Sequence, residues 1–199
     1  MATDKITSAG LTEDIITGQT AETTIADDDL ILLSDTSASA ALKKMTRANF
    51  VSGVGGANTP AFEASFNSQA SPTDYVWTKG LYGSEEYDTD SKYDTSNYRF
   101  TPGTAGKYYV YMSVIFDAQG TDRFHSSTIG IYKNGSIYRQ AYFDQYDNYL
   151  AYAKTPYLAA SITMNTTDYV EAYYNFNFTT GQGRINTGGV FGAFKLIGV

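Results

Sequence analysis

The sequence predicts an all-β fold, a sandwich or barrel of antiparallel strands, and three observations support that prediction. Aromatic residues are abundant, with 18 Tyr and 11 Phe among 199 residues. Apolar and polar residues alternate at period two over long stretches, most clearly in 168–178. Short polar turns and many of the 18 Gly separate the apolar runs. Aromatic-rich runs between such turn residues are typical of strands and not of helices.

Composition changes sharply near residue 60 and divides the chain in two. Phe50 is the one aromatic residue before Phe62. The run GVGGANTP at 53–60 is rich in Gly and predicts a flexible linker. We therefore predict an N-terminal attachment segment at 1–52, a Gly-rich linker at 53–60 and a head domain at 61–199.

The N-terminal segment is polar and is predicted to be mostly extended. Leu30–Leu33 follows three aspartates and precedes Ser34-Asp35, which indicates a short strand between turns. Thr46–Gly53 predicts a brief helix with Thr46 as its N-cap and Gly53 as its stop. The segment buries too little apolar surface to be well ordered alone. Two interpretations remain open, a disordered tail or three copies that share a core.

Residues 107–116 predict a long strand of the head that is apolar on both faces. One face is formed by Tyr108, Val110, Met112, Val114 and Phe116. The other face is formed largely by Tyr109, Tyr111 and Ile115. In an antiparallel sheet one face normally meets the core and the other meets water. The second apolar face therefore needs a cover, and a neighbouring subunit is the simplest one.

The strongest local signal is a hairpin centred on Asn134-Gly135. Apolar runs at 129–133 and 136–143 flank this dipeptide, which suits a type I′ turn because both turn positions need a positive φ. Further strands are predicted at 62–66, at 98–102 before a Pro-Gly turn, at 168–178 and at 191–197.

The order of these segments resembles the jelly roll of the complement globular-head and tumour necrosis factor superfamily. The matching stretches are Ala61–Phe66, Tyr93-Asp94, Tyr98–Pro102, Ala105–Tyr111, Tyr132–Ser136, Thr167–Val170 and Phe191–Leu196. The resemblance covers 60–199 and implies a ten-stranded antiparallel jelly-roll sandwich that forms a homotrimer through aromatic-rich faces. The chain departs from the mammalian pattern in having no cysteine and no collagen-like Gly-X-Y stalk. Together with the two-faced strand, this resemblance predicts a trimer interface at Tyr109, Tyr111, Ile115, Tyr169 and Tyr173.

The N-terminal stretches 26–37 and 41–50 resemble a short element of phage tail-fibre and appendage proteins. In those proteins a small strand–strand–helix unit sits at the base of the fibre and links it to the next piece. The resemblance implies a bacteriophage virion structural protein, assembled in the host cytoplasm and displayed on the virion surface. Its head would bind a host receptor or glycan, or would decorate the particle. Its N-terminal segment would dock onto other virion proteins of the capsid, portal or tail.

Four tyrosines near Asp144 and Asp147 are candidates for ligand contact, namely Tyr142, Tyr146, Tyr149 and Tyr152. Tyrosine offers a flat apolar face with a polar tip, which suits stacking on a sugar and equally suits a protein interface. A host cell-surface glycan is therefore one candidate partner. Packing in the core or between subunits is the other interpretation of the same residues.

Catalysis finds little support in the sequence, and we predict neither an enzyme nor a cofactor. His125 is the single histidine, so a Ser–His–Asp triad would depend on it alone. Asp88, Asp90 and Asp94 space their carboxylates partly as calcium ligands are spaced, but the glycine and final glutamate of an EF-hand loop are missing. A solvated acidic loop is the alternative interpretation.

Charge and hydropathy exclude further function classes. The formal net charge is −7 and no basic cluster is visible, so nucleic acid is not an expected partner. No apolar stretch approaches the roughly 18 residues of a spanning helix, and the first residues lack the pattern of a signal peptide. We expect a soluble protein without membrane insertion. The alternatives are a secreted trimeric adhesin or ligand of the same fold, or a surface-glycan depolymerase.

Overall fold

The computed structural model describes residues 24–35, 41–52, 58–71, 73–144, 151–179 and 183–197. The chain divides into two compact units, Met1–Gly56 and Ala57–Val199. The predicted stop of the first helix at Gly53 and most of the predicted linker at 53–60 lie outside the described residues.

The described part of the first unit is a two-stranded antiparallel sheet followed by a helix. Its elements are β1 (Leu30–Asp35), β2 (Ala41–Thr46) and α1 (Arg47–Ser52). Thr46 Oγ1 accepts a hydrogen bond of 3.3 Å from the backbone N–H of Asn49, so the predicted strand, helix and N-cap are present. Across the described residues, no helix has the length and apolarity to cross a membrane.

The second unit, the head, consists of fourteen strands in its described residues. In chain order they are β3 (Ala61–Ser65), β4 (Thr78–Lys79), β5 (Ser84–Asp88), β6 (Tyr93–Asp94), β7 (Arg99–Phe100), β8 (Gly106–Ser113), β9 (Ile115–Ala118), β10 (Phe124–Lys133), β11 (Ser136–Asp144), β12 (Ala153–Lys154), β13 (Tyr157–Met164), β14 (Val170–Phe178), β15 (Gly183–Asn186) and β16 (Val190–Lys195).

Eleven of these strands form two antiparallel sheets, one of five strands and one of six. Sheet one has the order β13-β8-β16-β3-β5, and sheet two has the order β11-β10-β14-β7-β6 with β4 added beside β14. A smaller sheet has the order β12-β9-β15. The non-consecutive neighbours are the long crossovers of a jelly roll. The predicted all-β jelly-roll sandwich is confirmed.

The core lies between the sheets because alternate residues of each strand point into it. Tyr108, Val110 and Met112 of β8 are 0% exposed, and Tyr174 of β14 is 1% exposed. Burial raises the pKa of the Tyr174 phenol to about 12. Every second residue of these strands therefore faces outward.

Aromatic rings fill one end of this core. The ring of Phe62 stacks on Tyr93 at 4.3 Å and on Phe100 at 4.7 Å between centroids. Such pairs add stability beyond the apolar area that they bury. The buried hydroxyl of Tyr93 donates a 2.8 Å hydrogen bond to the carbonyl oxygen of Tyr82, so its polar tip is satisfied inside the core.

The predicted strand at 107–116 is divided in the structure. β8 ends at Ser113 and pairs within sheet one, whereas β9 begins at Ile115 and pairs within the smaller sheet. Between them the Val114 N–H bonds to the carbonyl oxygen of Pro156. The apolar pattern continues through the break because both strands contribute to the same core.

The predicted hairpin is confirmed as β10 and β11, with Lys133 opposite Ser136. The two turn residues both adopt positive φ, 52° at Asn134 and 78° at Gly135, as a type I′ turn requires.

Candidate interface and ligand-contact sites

A cluster of aromatic side chains lies on the outward side of sheet one, and we call it the tyrosine face. Tyr109 and Tyr111 of β8 point away from the core, because the residues that alternate with them are buried. The strand register sets Tyr109 opposite Phe194 of β16. The whole cluster consists of Tyr87, Tyr109, Tyr111, Tyr157 and Phe194.

The rings of the tyrosine face pack against one another. The centroid of Tyr109 lies 5.4 Å from Phe194 and 6.2 Å from Tyr111. The Tyr111 ring lies over Gly192, where a Cβ would collide with it. Tyr111 Oη donates a 2.6 Å hydrogen bond to a carboxylate oxygen of Glu63. These contacts leave Tyr109 and Tyr111 half-buried in the single chain.

Two phenols of this face, those of Tyr111 and Tyr157, have a raised pKa. Burial raises the pKa of Tyr111, and hydrogen bonds with Glu63 and Tyr87 raise it further. Burial and a hydrogen bond with Tyr109 raise the pKa of Tyr157. Tyr87 and Tyr157 are nevertheless 41% and 53% exposed. The face is therefore an apolar surface with hydroxyl groups and few charges, still partly in contact with water.

The five predicted interface residues do not share one surface. Tyr109 and Tyr111 belong to the tyrosine face. Tyr173 is on the outward side of sheet two, across the core, with Tyr169 immediately before β14. Ile115 is half-buried in β9 of the smaller sheet. Sequence alternation identified outward-facing aromatic residues but could not assign them to sheets.

The outward side of sheet two carries a buried charge cluster that the sequence did not predict. Glu171 is 2% exposed, and its Oε1 lies 2.7 Å from Lys79 Nζ and 2.8 Å from Arg99 Nη2. The Arg99 guanidinium lies 3.7 Å from the centre of the Tyr169 ring. The centre of the Tyr173 ring lies 5.8 Å from Lys79 Nζ. Two cation–π contacts thus fix two of the predicted interface tyrosines in place.

The predicted ligand-contact tyrosines that the structure describes also lie at different sheets. Tyr142 lies on β11 of sheet two and is 63% exposed. Tyr152 precedes β12 of the smaller sheet, is 52% exposed, and its ring centre lies 5.8 Å from the Arg123 guanidinium. Tyr146 and Tyr149 lie outside the described residues.

The calcium candidates do not converge on a site. Both carboxylate oxygens of Asp88 accept backbone N–H bonds, from Lys92 at 3.0 Å and from Tyr93 at 2.8 Å. Asp94 accepts hydrogen bonds from Ser96, which lower its pKa, and Asp90 is exposed. Within the described ranges, no three Asp, Glu, His or Cys side chains are grouped to hold a metal ion. Two of the three carboxylates serve the backbone of their own turns.

The N-terminal unit exposes apolar side chains around a cavity of about 500 Å³. Leu30 is 60% exposed and Phe50 is 52% exposed. A two-stranded sheet with a six-residue helix has too little core to be stable by itself. The cavity is lined by Ile25, Asp29, Leu30, Ile31, Arg47, Phe50 and Val51.

No protein-family model matches the chain, and no curated protein matches its sequence. Solved structures do resemble it. The globular domain of the zebrafish complement 1qA protein is 11% identical with a TM-score of 0.50, over 69% of this chain and 96% of that one. The Eiger TNF from S. frugiperda is 12% identical with a TM-score of 0.52, over 68% of this chain and 91% of that one. Murine APRIL is 11% identical with a TM-score of 0.51, over 68% and 98%.

At these identities the likeness establishes the fold and not the activity. The chain has the jelly-roll sandwich seen in complement globular-domain and tumour necrosis factor structures.

Proposed function

We propose that this chain is a non-enzymatic attachment protein whose head assembles as a homotrimer through the tyrosine face. The observation behind the proposal is the set of five neighbouring aromatic side chains on the outward side of sheet one, three of them in ring contact. Two of them, Tyr87 and Tyr157, remain 41% and 53% exposed in the single chain. The likeness to the complement and tumour necrosis factor structures supports the sandwich that displays this face.

The chemistry of the tyrosine face suits contact between protein subunits. Aromatic residues are enriched at the centre of protein interfaces, where charged residues are depleted. Tyrosine can bury its ring against a neighbour and keep its hydroxyl hydrogen-bonded. The Tyr111–Glu63 hydrogen bond gives the Glu63 carboxylate beside these rings a partner before assembly, which reduces the cost of covering it.

A trimer would gain binding strength from its symmetry. Three identical ligand sites about one axis convert a modest affinity per site into strong attachment to a surface that repeats the ligand. This mechanism requires no catalytic group. It requires rigid heads and a surface with many copies of the ligand.

Two biological settings fit this proposal. The first is a secreted trimeric ligand or adhesin, which the fold likeness to the complement and tumour necrosis factor structures supports. The second is a bacteriophage virion appendage, which the strand–strand–helix unit β1-β2-α1 supports because it has the form expected of a fibre-base element. In that setting the apolar side chains around Leu30 and Phe50 would be covered by a virion protein.

Native mass measurement at micromolar concentration tests the assembly. We expect three times the chain mass of 21.8 kDa. Tyr157→Lys places a charge on the tyrosine face at an exposed position and should dissociate the trimer. Tyr152→Lys is the matched control, because Tyr152 is 52% exposed and Tyr157 is 53% exposed. A monomeric wild type, or a Tyr157→Lys variant that stays trimeric, would contradict the proposal.

Labelling with an antibody against the head separates the two settings. A virion appendage should be labelled on intact purified particles. A secreted ligand or adhesin should be found in culture fluid or on cell surfaces in material without particles.

A further inference from the structure

Three neighbouring strands of sheet two present a regular outward surface. The register sets Tyr142 of β11 opposite Thr128 of β10, and Thr128 opposite Asn175 of β14. In the next row Gly130 lies opposite Tyr173. Residues directly opposite one another point to the same side of a sheet. All of these side chains point away from the core, because the residues alternating with them fill it.

Aromatic rings form a fixed floor in the middle of this surface. The Trp77 indole lies against Gly130, where an added Cβ would come within 3.3 Å of it. The centroids of Trp77 and Tyr132 are 5.8 Å apart, and those of Tyr132 and Tyr173 are 4.1 Å apart. The rings already hold one another in place. A ligand that stacks on them therefore orders these side chains little further, and binding costs little side-chain entropy.

Polar side chains without partners lie beside these rings. Thr128 and Asn175 are half-buried and Gln140 is exposed. Within the described part of the chain, none of the three side chains makes a hydrogen bond or an ion pair. A half-buried amide or hydroxyl that can donate and accept gains most from a ligand that does both.

The two cations next to this surface already share a carboxylate partner. Oε1 of Glu171 forms ion pairs with Lys79 Nζ at 2.7 Å and with Arg99 Nη2 at 2.8 Å. One carboxylate between two cations leaves a net charge of +1 at this edge, although both of these cations are already engaged. The centre of the surface offers aromatic rings, amides and a hydroxyl. A neutral sugar has the complementary chemistry, since one side of its ring is apolar and its edge carries hydroxyl groups.

We propose that this surface, the glycan face, binds a neutral oligosaccharide. The glycan face consists of Trp77, Thr128, Tyr132, Tyr142, Tyr173 and Asn175. The rings stack on sugar rings, while Thr128 and Asn175 exchange hydrogen bonds with sugar hydroxyls. The inference rests on the proposed attachment function and names the class of ligand that the head attaches to.

The test uses the full chain and an immobilised panel of short uncharged oligosaccharides, with sialylated and sulfated versions alongside. The best-bound uncharged oligosaccharide is then titrated in solution by calorimetry. Tyr142→Ala and Asn175→Ala should each weaken the dissociation constant about tenfold. Tyr152→Ala tests the competing prediction, because Tyr152 is the other described tyrosine that the sequence predicted to contact a ligand and is similarly exposed, but it lies outside the glycan face. It should bind like the wild type.

Three results would overturn the glycan face. They are binding to no uncharged oligosaccharide, binding to the anionic versions only, and loss of binding in Tyr152→Ala with none in Tyr142→Ala. Native mass measured on the same samples separates this inference from the proposed assembly. A trimer that binds no sugar removes the glycan face and leaves the assembly. A monomer that binds sugar through Tyr142 keeps the glycan face and removes the assembly.

Discussion

At the scale of single residues, Asp168 ties the Asn134-Gly135 turn to the start of β14. Its carboxylate accepts hydrogen bonds from the Asn134 side chain at 2.7 Å and from the Asn165 backbone at 2.8 Å, and it pairs with Lys133 at 2.9 Å. These contacts, that of Asn134 foremost, lower the pKa of Asp168 from 3.8 to about 2. The fold therefore favours the ionised carboxylate.

This shift makes the stability of the head depend on pH in a definite direction. Because the pKa of Asp168 is lower in the folded chain, its contribution is complete above about pH 4 and is lost as the pH falls toward 2. Asp168→Asn should lower the free energy of unfolding by about 1–2 kcal/mol at neutral pH. Its melting temperature should then fall less than that of the wild type between about pH 5 and pH 2.

Thermal melts of both proteins across this pH range give the comparison. Asp90→Asn is the control, since Asp90 is exposed and lies outside the Asn134-Gly135 turn. Parallel plots of melting temperature against pH for the wild type and Asp168→Asn would show that the Asp168 carboxylate does not cause this pH dependence.

Glu171 is a second residue whose contribution to stability depends on its neighbours. It lies on the outward side of β14, between Val170 and Ala172 of the core. Its burial could not be predicted, because Lys79 and Arg99 are 92 and 72 residues away along the chain. Contacts of this range depend on the sheet order, which a single sequence does not specify.

Glu171→Gln should destabilise the head strongly for a change at an outward-facing position. It keeps the side-chain shape but leaves Lys79 and Arg99 close together without their shared anion. We expect a loss of about 2–3 kcal/mol in the free energy of unfolding. Urea titration of this variant against Glu86→Gln, an exposed glutamate, measures it. Equal effects of the two substitutions would show that the cluster contributes nothing to stability.

At the scale of elements, the sequence predicted strands well where one local signal dominated. The Asn-Gly turn and the period-two pattern of β14 specify their own geometry and appear as predicted. The single strand predicted at 107–116 is wrong in one respect, because it divides at Val114 between two sheets. Alternation alone cannot reveal such a division, since both parts keep the same side toward the core.

The hairpin turn provides a prediction at this scale. Gly135 has φ of 78°, and a Cβ there would meet the Tyr169 hydroxyl only at an ordinary contact distance of 3.5 Å. Gly135→Ala should therefore act through backbone strain alone and lower the free energy of unfolding by about 1–2 kcal/mol. Ser136→Ala, at the next and exposed position, should change it by less than about 0.5 kcal/mol. Denaturant titration of the two variants decides, and a neutral Gly135→Ala would contradict a type I′ turn in solution.

At the scale of the whole molecule, the two-faced pattern of β8 indicated an outward apolar surface, and the tyrosine face is that surface. Its membership could not be predicted. Tyr157 and Phe194 join Tyr109 through pairing of distant strands, whereas Tyr169 and Tyr173 belong to sheet two. The fold class needed only local patterns and their order, but the composition of each face needed the strand order as well.

If the heads assemble through the tyrosine face, their unfolding must depend on concentration. When three unfolded chains form from one trimer, each tenfold rise in concentration favours the folded chain by two-thirds of RT ln 10, about 0.9 kcal/mol. For a chain of 199 residues this raises the melting temperature by roughly 2–4 °C. Tyr157→Lys should melt at a temperature independent of concentration, whereas Tyr152→Lys should keep the wild-type slope. Scanning calorimetry over a hundredfold range of concentration, about 1 to 100 μM, makes the slope measurable. A flat wild-type curve would mean that the exposed tyrosines of sheet one meet water and not another chain.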